Sequence, residues 1–412
     1  MLSAKRAYCY AGIGIAVGLG VLAYWVFQAP VRELPPLNED EKSALAAYNQ
    51  TALQLYKELR TESGNLVLSP YSIGTSMAMA RTGARGDTET EMATVLNHPF
   101  GRERIDDANA GLTDRLDKRR RRRGSTLSAA NAVCLTDETA VAKGYRDLLQ
   151  QKYAAEVFSG SSVRPINSWV ADRTRGKIKG IIGDVPPASA LVLLNAIYFE
   201  GKWASKFDPE YTQPAEFHTT ADTSISVPMM MQTTKYRIHE EEDFQAISLP
   251  YRDTSLAMVV ILPRERMGLA SMEEELTIDS LQLTFTRLQS AHAGKVHLEL
   301  PRFAFSYEAD LIPPLQALGM TLPFSPSEAN FEGITGVAGD SGRIWLGEIR
   351  HKAMLEVDEE GTRAAAATSS MFLKKAEEQS RMFEVDHPFL FLIVEIKTNA
   401  ILFLGRVTNP LE

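Results

Sequence analysis

From residue 41 onward the chain switches repeatedly between two hydrophobic periods. Leu45, Tyr48, Leu53, Leu55, Tyr56 and Leu59 fall on one helical face, which predicts an amphipathic helix over 41–61. Residues 65–73 (NLVLSPYSI) read as a short buried strand running into a helix. Ser69 suits the N-cap there, and Pro70 suits a first turn whose N–H has no partner anyway. That helix ends near Gly83, and another opens over 83–92 with Thr88 placed to cap it. Residues 127–135 read as a strand, and 166–170 with Thr174 and Gly176 as a helix and its stop. Residues 191–199 (LVLLNAIYF) are almost continuously apolar, which predicts a strand buried on both faces. Trp203 follows it as a large core anchor. Strands are predicted over 227–230, 244–251 and 256–262, the last stopped by Pro263. Residues 296–303 alternate, and 389–395 and 401–404 flank a Thr398-Asn399 hairpin turn.

One stretch breaks this regularity. Residues up to Asp358 read as a strand, and Glu359, Glu360 and Gly361 as a turn. The run TRAAAATSS, residues 362–370, then carries almost no bulk and one charge. Alanine favours helix, so a short helix or a soft linker is one reading. Read with period two, Thr362, Ala364, Ala366, Thr368 and Ser370 form a uniformly small, uncharged face, with Arg363 on the other. Such a segment can be exposed in one state and become a sheet strand in another, burying its small face without a clash. Met371-Phe372-Leu373-Lys374-Lys375-Ala376 follows as a protease-susceptible sequence, and His387-Pro388-Phe389 leads back into the core.

Composition bounds the class. The chain has 412 residues, 44% hydrophobic and 23% charged, enough for a large core, and no Gly/Ser- or Pro-rich linker divides it after residue 40. One large domain over 41–412 is therefore expected. The net charge of −8 argues against a general nucleic-acid binder. Cys9 and Cys134 are the only cysteines, and neither a disulfide between them nor a metal site is expected. At the N-terminus, Lys5 and Arg6 precede an uncharged stretch, residues 7–31, with acidic residues beyond it. A bilayer span needs about 20 apolar residues. Tyr8 and Tyr10 at one end, with Tyr24, Trp25 and Phe27 at the other, resemble an aromatic belt. Residues 1–31 are therefore read as a signal-anchor, with a cleaved signal peptide as the rival, and 32–40 as a stalk. Both place the body of the protein outside the cytoplasm.

Other motifs are weaker. Gly12, Gly14, Gly18 and Gly20 follow no strand and do not read as a nucleotide loop. Asn49-Gln50-Thr51 has the form of a glycosylation sequon but lies in a predicted helix. Arg85-Gly86-Asp87 has the form of an adhesion motif. Lys118, Arg119, Arg120, Arg121, Arg122 and Arg123 form a cationic run. It reads as a solvated loop, a polyanion site with steep salt dependence, or a processing site. No Gly-x-Ser-x-Gly, His-Glu-x-x-His or phosphate loop occurs, and the seven histidines are scattered, so no enzyme is expected.

Glu359-Glu360-Gly361-Thr362, the alanine run and the later His387-Pro388-Phe389 resemble the reactive-centre loop of the serpins. The segments around 69–73, 83–92, 191–203 and 329–334 resemble serpin patterns too, the last with Asn330 where the family usually has aspartate. The resemblance spans roughly residues 42–410. It implies an α+β serpin fold of three β-sheets and about nine helices with the loop exposed on top. It also implies a monomeric suicide inhibitor of a serine protease, trapped covalently when the cleaved loop enters the main sheet. Glu359 and Gly361 would be the hinge, with Thr362, Ala364, Ala366 and Thr368 as the insertion face. Trp203 would sit at the breach, where insertion begins. The family's spacing from Gly361 lands on Lys375, so Lys375–Ala376 is the expected reactive bond, which suits a trypsin-like pocket. Lys374, Phe372, Leu373 and Arg381 are the alternatives, and a solubilising loop tip is the bland reading of the lysines. Lys118–Arg123 would lie where some family members bind heparin-like polyanions. No cofactor is expected. A non-inhibitory carrier or chaperone, and a membrane-tethered polyanion binder, remain alternative functions.

Overall fold

Asn38 opens the first helix. Its side chain accepts the Glu41 N–H at 2.8 Å, and the Glu41 carboxylate accepts the Asn38 N–H at 2.8 Å. This reciprocal box starts α1 at Glu39 and not at 41, so the predicted stalk loses its last two residues to the helix. The computed structural model describes residues 35–120, 125–136, 141–160, 162–184, 190–339, 343–362 and 380–412. The apolar segment 1–31 lies outside them. Among the described residues no helix is long and apolar enough to cross a membrane.

Ten α-helices and fifteen strands are present among the described residues. After α1 (Glu39–Leu59) come β1 (Leu66–Leu68), α2 (Pro70–Gly83), α3 (Gly86–Val95), α4 (Arg102–Arg120) and β2 (Ser125–Leu135). Next are α5 (Lys143–Tyr153), β3 (Glu156–Ser159), α6 (Val163–Arg173) and β4 (Ala190–Lys202). Strands β5 (Thr212–His218), β6 (Ser224–Glu240), β7 (Phe244–Pro250) and β8 (Leu256–Pro263) follow. Then come α7 (Leu269–Glu275), α8 (Ile278–Ser290), β9 (Gly294–Pro301), β10 (Phe303–Asp310), α9 (Ile312–Ala317) and α10 (Glu332–Thr335). The chain closes with β11 (Trp345–Val357), β12 (Gly361–Thr362), β13 (Arg381–Glu384), β14 (Phe389–Glu395) and β15 (Ala400–Val407).

The strands form a six-stranded sheet, β10-β11-β4-β2-β3 with β12 paired to β4, and a nine-stranded one. The latter is two sheets joined through β6: its first half pairs with β5 and β9, its last residues with β7. Three sheets are thus recovered. Ser69 caps α2 as expected. Thr88 does not cap α3; it is buried, and its hydroxyl accepts the Asn330 N–H at 3.0 Å, pinning the segment before α10. Arg85 is likewise structural, donating to the Thr82 and Ala84 carbonyls at 3.0 and 2.7 Å. Asn49 and Thr51 of the sequon are buried in α1, which excludes a glycan there in the folded chain. Cys134 is buried in β2, and burial pushes its thiol up to about 11, far from reactive.

The β4 run is apolar on both sides for a visible reason. Leu191, Leu193, Ile197 and Phe199 face the main core, whereas Val192, Leu194 and Ala196 face a smaller core under α6. A buried ion pair ties the last strand to the first helix. Arg406 on β15 contacts Glu273 at 3.2 Å and donates to the Gly64 and Arg60 carbonyls at 3.0 Å each, while Tyr56 donates to Glu273. Arg406→Ala would leave Glu273 buried without its cation. It is expected to destabilise the fold by about 3–5 kcal/mol, read as a lowered urea unfolding midpoint.

Candidate functional site at the mouth of the central sheet

Strands β4 and β11 run parallel, paired from Ala190/Trp345 to Tyr198/Met354. Their ladder ends there, and the space above it is taken by β12. Asp358 and Gly361 exchange both backbone bonds, at 2.8 and 3.2 Å, around the two-residue turn Glu359-Glu360. The chain thereby reverses and pairs antiparallel with β4, Gly361 opposite Lys202 and Thr362 opposite Gly201. Gly361 has φ +146°, and a Cβ on it would stand 2.1 Å from the Gly201 carbonyl oxygen. Only glycine fits both demands.

The seated turn is clamped from several sides. Trp203 donates its backbone N–H to the Glu360 carbonyl at 3.0 Å and its indole N–H to the Asp358 carbonyl at 2.9 Å. Its ring stacks on Tyr251, centroids 4.8 Å apart and planes 10° from parallel. The Tyr251 hydroxyl meets that of Thr362 at 2.9 Å, and both residues are fully buried. The Phe207 N–H donates to the Glu359 carbonyl at 3.0 Å, and Lys206 pairs with Glu360. Burial alone would raise the Glu359 carboxyl. Hydrogen bonds from Arg302 and Thr212 (2.7 Å) overcome that and hold it below the ordinary range.

Lower in the seam lies a buried polar layer. Asn195 on β4 donates to the Ser72 carbonyl at 3.2 Å, to the Ser72 hydroxyl and to Asn131 on β2, and it accepts from His351 on β11. The other His351 ring nitrogen receives the Ser69 N–H at 3.3 Å. Accepting that bond requires a neutral ring, and burial lowers the His351 pKa to about 3.

The residues singled out in the sequence divide as follows. Glu359, Gly361, Thr362 and Trp203 come together in this clamp. Ala364, Ala366, Thr368, Phe372, Leu373, Lys374, Lys375 and Ala376 lie outside the described residues. Arg381 is an exposed strand residue, the first of β13 and paired with Val296 on β9. Lys118, Arg119 and Arg120 form the last turn of α4 and so are not loop; Lys118 is exposed and paired with Asp114. Arg121–Arg123 lie outside the described residues. Among the described residues no metal-ligand grouping of three or more His, Cys, Asp or Glu occurs. Tyr251, Thr212, Lys206 and Arg302 were not anticipated, nor was the polar layer. The available signal for the layer was Asn195, a lone amide in an otherwise apolar strand.

Comparison with known proteins agrees with this geometry. A family model described as Serpin (serine protease inhibitor) matches residues 46–410. Iripin-8 of Ixodes ricinus is 34% identical over 407 residues, covering 93% of this chain and 98% of its own. Serpin B6 of Macaca fascicularis is 36% identical, covering 89% of this chain and 99% of its own. The crystal structure of human thyroxine-binding globulin superposes with a TM-score of 0.80 at 28% identity, covering 90% of this chain and all of that one.

His351 and the half-buried His98 are both held near pKa 3, His98 by burial of its ring and by the charge of Arg81, against 6.5 when unfolded. Below pH 6.5 the unfolded chain therefore binds more protons than the folded one, and stability falls as pH drops toward 3. Each histidine should remove about 2 kcal/mol between pH 7 and pH 5. Urea midpoints at the two pH values check this, and His351→Gln should flatten the slope by about half.

Proposed function

The chain belongs to the serpin family, and on that premise we propose that it is a suicide-substrate inhibitor of a trypsin-like serine protease. The observation that carries the proposal is the seated β12. A loop entering in the register of Gly361 and Thr362 would bring Ala364 level with Phe199, Ala366 with Ile197 and Thr368 with Asn195, on the side of β4 that faces the core. Small residues on that side enter without a clash, and Thr368 arrives with its hydroxyl at the one polar level of the seam. The protease serine attacks the Lys375 carbonyl carbon, the Lys375–Ala376 bond breaks, and Ala376 leaves as a new amino terminus. Lys375 is then held as an ester. Insertion carries that ester away and distorts the protease before water completes the cycle. The driving force is the new strand: on the order of ten ladder bonds at about 0.5–1.5 kcal/mol each, plus apolar burial. The intact fold is kinetically trapped.

Lys118 through Arg123 is the proposed polyanion contact, and residues 1–31 the membrane anchor of a monomer acting outside the cytoplasm. Resemblance to thyroxine-binding globulin supports a second reading, a non-inhibitory carrier on the same fold.

The deciding experiment incubates the full chain, in mild detergent, with trypsin. A complex surviving denaturation, with a released peptide beginning at Ala376, is the expected result. A cut loop with no complex and no thermal stabilisation would favour the carrier. Thr362→Arg would force a charge against Tyr251 and slow entry. It should raise the number of chains cleaved per complex formed by about tenfold or more. Heparin retention that falls steeply with salt, and is lost when Lys118–Arg123 are neutralised, checks the polyanion contact.

A further inference from the structure

A cleft of about 720 Å³ opens between α7, α8 and the β6–β7 hairpin. It shares no residue with the clamp and has no part in loop insertion, and its volume falls in the range of small-molecule sites. Phe244, Ile261, Met272, Leu276 and Leu281 make an apolar floor, each buried or half-buried against the core. Leu283 of α8 carries that floor outward and is 52% exposed. A capping box between Thr277 and Ser280, two bonds of 3.0 Å, starts α8 directly after α7 and fixes the two helical walls.

The rim is acidic. Glu241, Glu242 and Asp243 stand on the hairpin turn, Glu265 after β8 and Glu275 at the end of α7. Glu241 meets His239 at 2.7 Å; among the described residues the other four hold no cation. Arg264 also lines the cleft, but its contacts are to the hairpin. Its side-chain Nε donates to the Glu241 carbonyl at 2.8 Å, its backbone N–H donates to the Asp243 carbonyl at 2.8 Å, and its guanidinium stands 3.6 Å from Glu240. It therefore fixes the acids in place and leaves the rim negative. Like charges gathered around one opening repel each other, and a cation entering among them relieves that repulsion. The same field turns an anion away. We propose that this cleft binds a small organic cation, an aryl or alkyl body carrying an ammonium. The body lies on the floor, and the three N–H donors of the ammonium meet the rim carboxylates. The site is independent of the inhibitory reading.

Three probes that share one body test this: 2-naphthylethylamine, 2-naphthylethanol and 2-naphthylacetate. Each is titrated calorimetrically into the full chain in mild detergent, and a detergent blank is subtracted. The ammonium should bind one site with a dissociation constant on the order of 0.1 mM, the alcohol about tenfold more weakly and the carboxylate not at all. Asp243→Asn combined with Glu275→Gln, both at exposed positions, should weaken the ammonium about threefold and leave the alcohol unchanged. Ser271→Trp, at an exposed position of the lining, should fill the cleft and remove binding of ammonium and alcohol alike. Should that variant lower the thermal midpoint, Leu283→Trp replaces it. Equal affinity for ammonium and alcohol, absence of saturable binding, or ammonium binding that survives the blocking variant would overturn the site. None of these outcomes bears on loop insertion, which the trypsin experiment decides separately.

Discussion

Everything at the mouth of the central sheet follows from one pairing. Strands β4 and β11 run the same way, and the chain that leaves β11 turns back through two residues. A returning segment is antiparallel to both neighbours, so each step of the proposed entry would replace one parallel contact by two antiparallel ones, the slightly stronger kind. On the proposed mechanism the sheet is therefore one strand short of its best arrangement, and the segment that would supply it is next in the chain. Gly361 lets the backbone close against Gly201, Trp203 and Tyr251 wall the entrance, and Thr362 is the first residue to take its place.

The polar layer beneath is the counterweight. An all-apolar seam would pack as well and slide more freely. Asn195, His351, Asn131 and Ser72 instead exchange directional hydrogen bonds across β2, β4, β11 and α2. Separating β4 from β11 breaks the Asn195–His351 contact inside a low-dielectric core, where a lost bond costs most. The layer also fixes register, because only one alignment satisfies its members. Its dependence on a neutral His351 makes the same seam acid-sensitive, as His98 makes the region around Arg81.

Much of this was legible in the sequence, because long apolar runs and cap residues act locally. The double burial of β4, the Ser69 cap and the Asn399 turn all rest on neighbours within a few positions. Boundaries moved where a reciprocal side-chain contact decided them, as Asn38 and Glu41 do for α1. Thr88 was misread because a cap and a tertiary anchor use the same hydroxyl, and only the fold brings Asn330 to it. The clamp was hidden for a like reason. Tyr251, Thr212 and Arg302 stand far from residue 359 in the chain and have no periodicity that links them to it.

The placement of the barrier follows from the register already adopted. Because β12 is paired with β4 as a continuing strand would be, the contacts of Glu359 with Arg302 and Thr212, and of Glu360 with Lys206, need not break for the loop to advance. In the proposed insertion they would hold the turn as an anchor while the residues after it enter. What would resist that entry is the β4–β11 ladder from Tyr198/Met354 to Ala190/Trp345, with the polar layer in its path. A few side-chain contacts at the turn, each of about 1 kcal/mol, are too small to offset on the order of ten new ladder bonds. On the proposed mechanism the clamp can therefore set where insertion would start but not whether it is favourable.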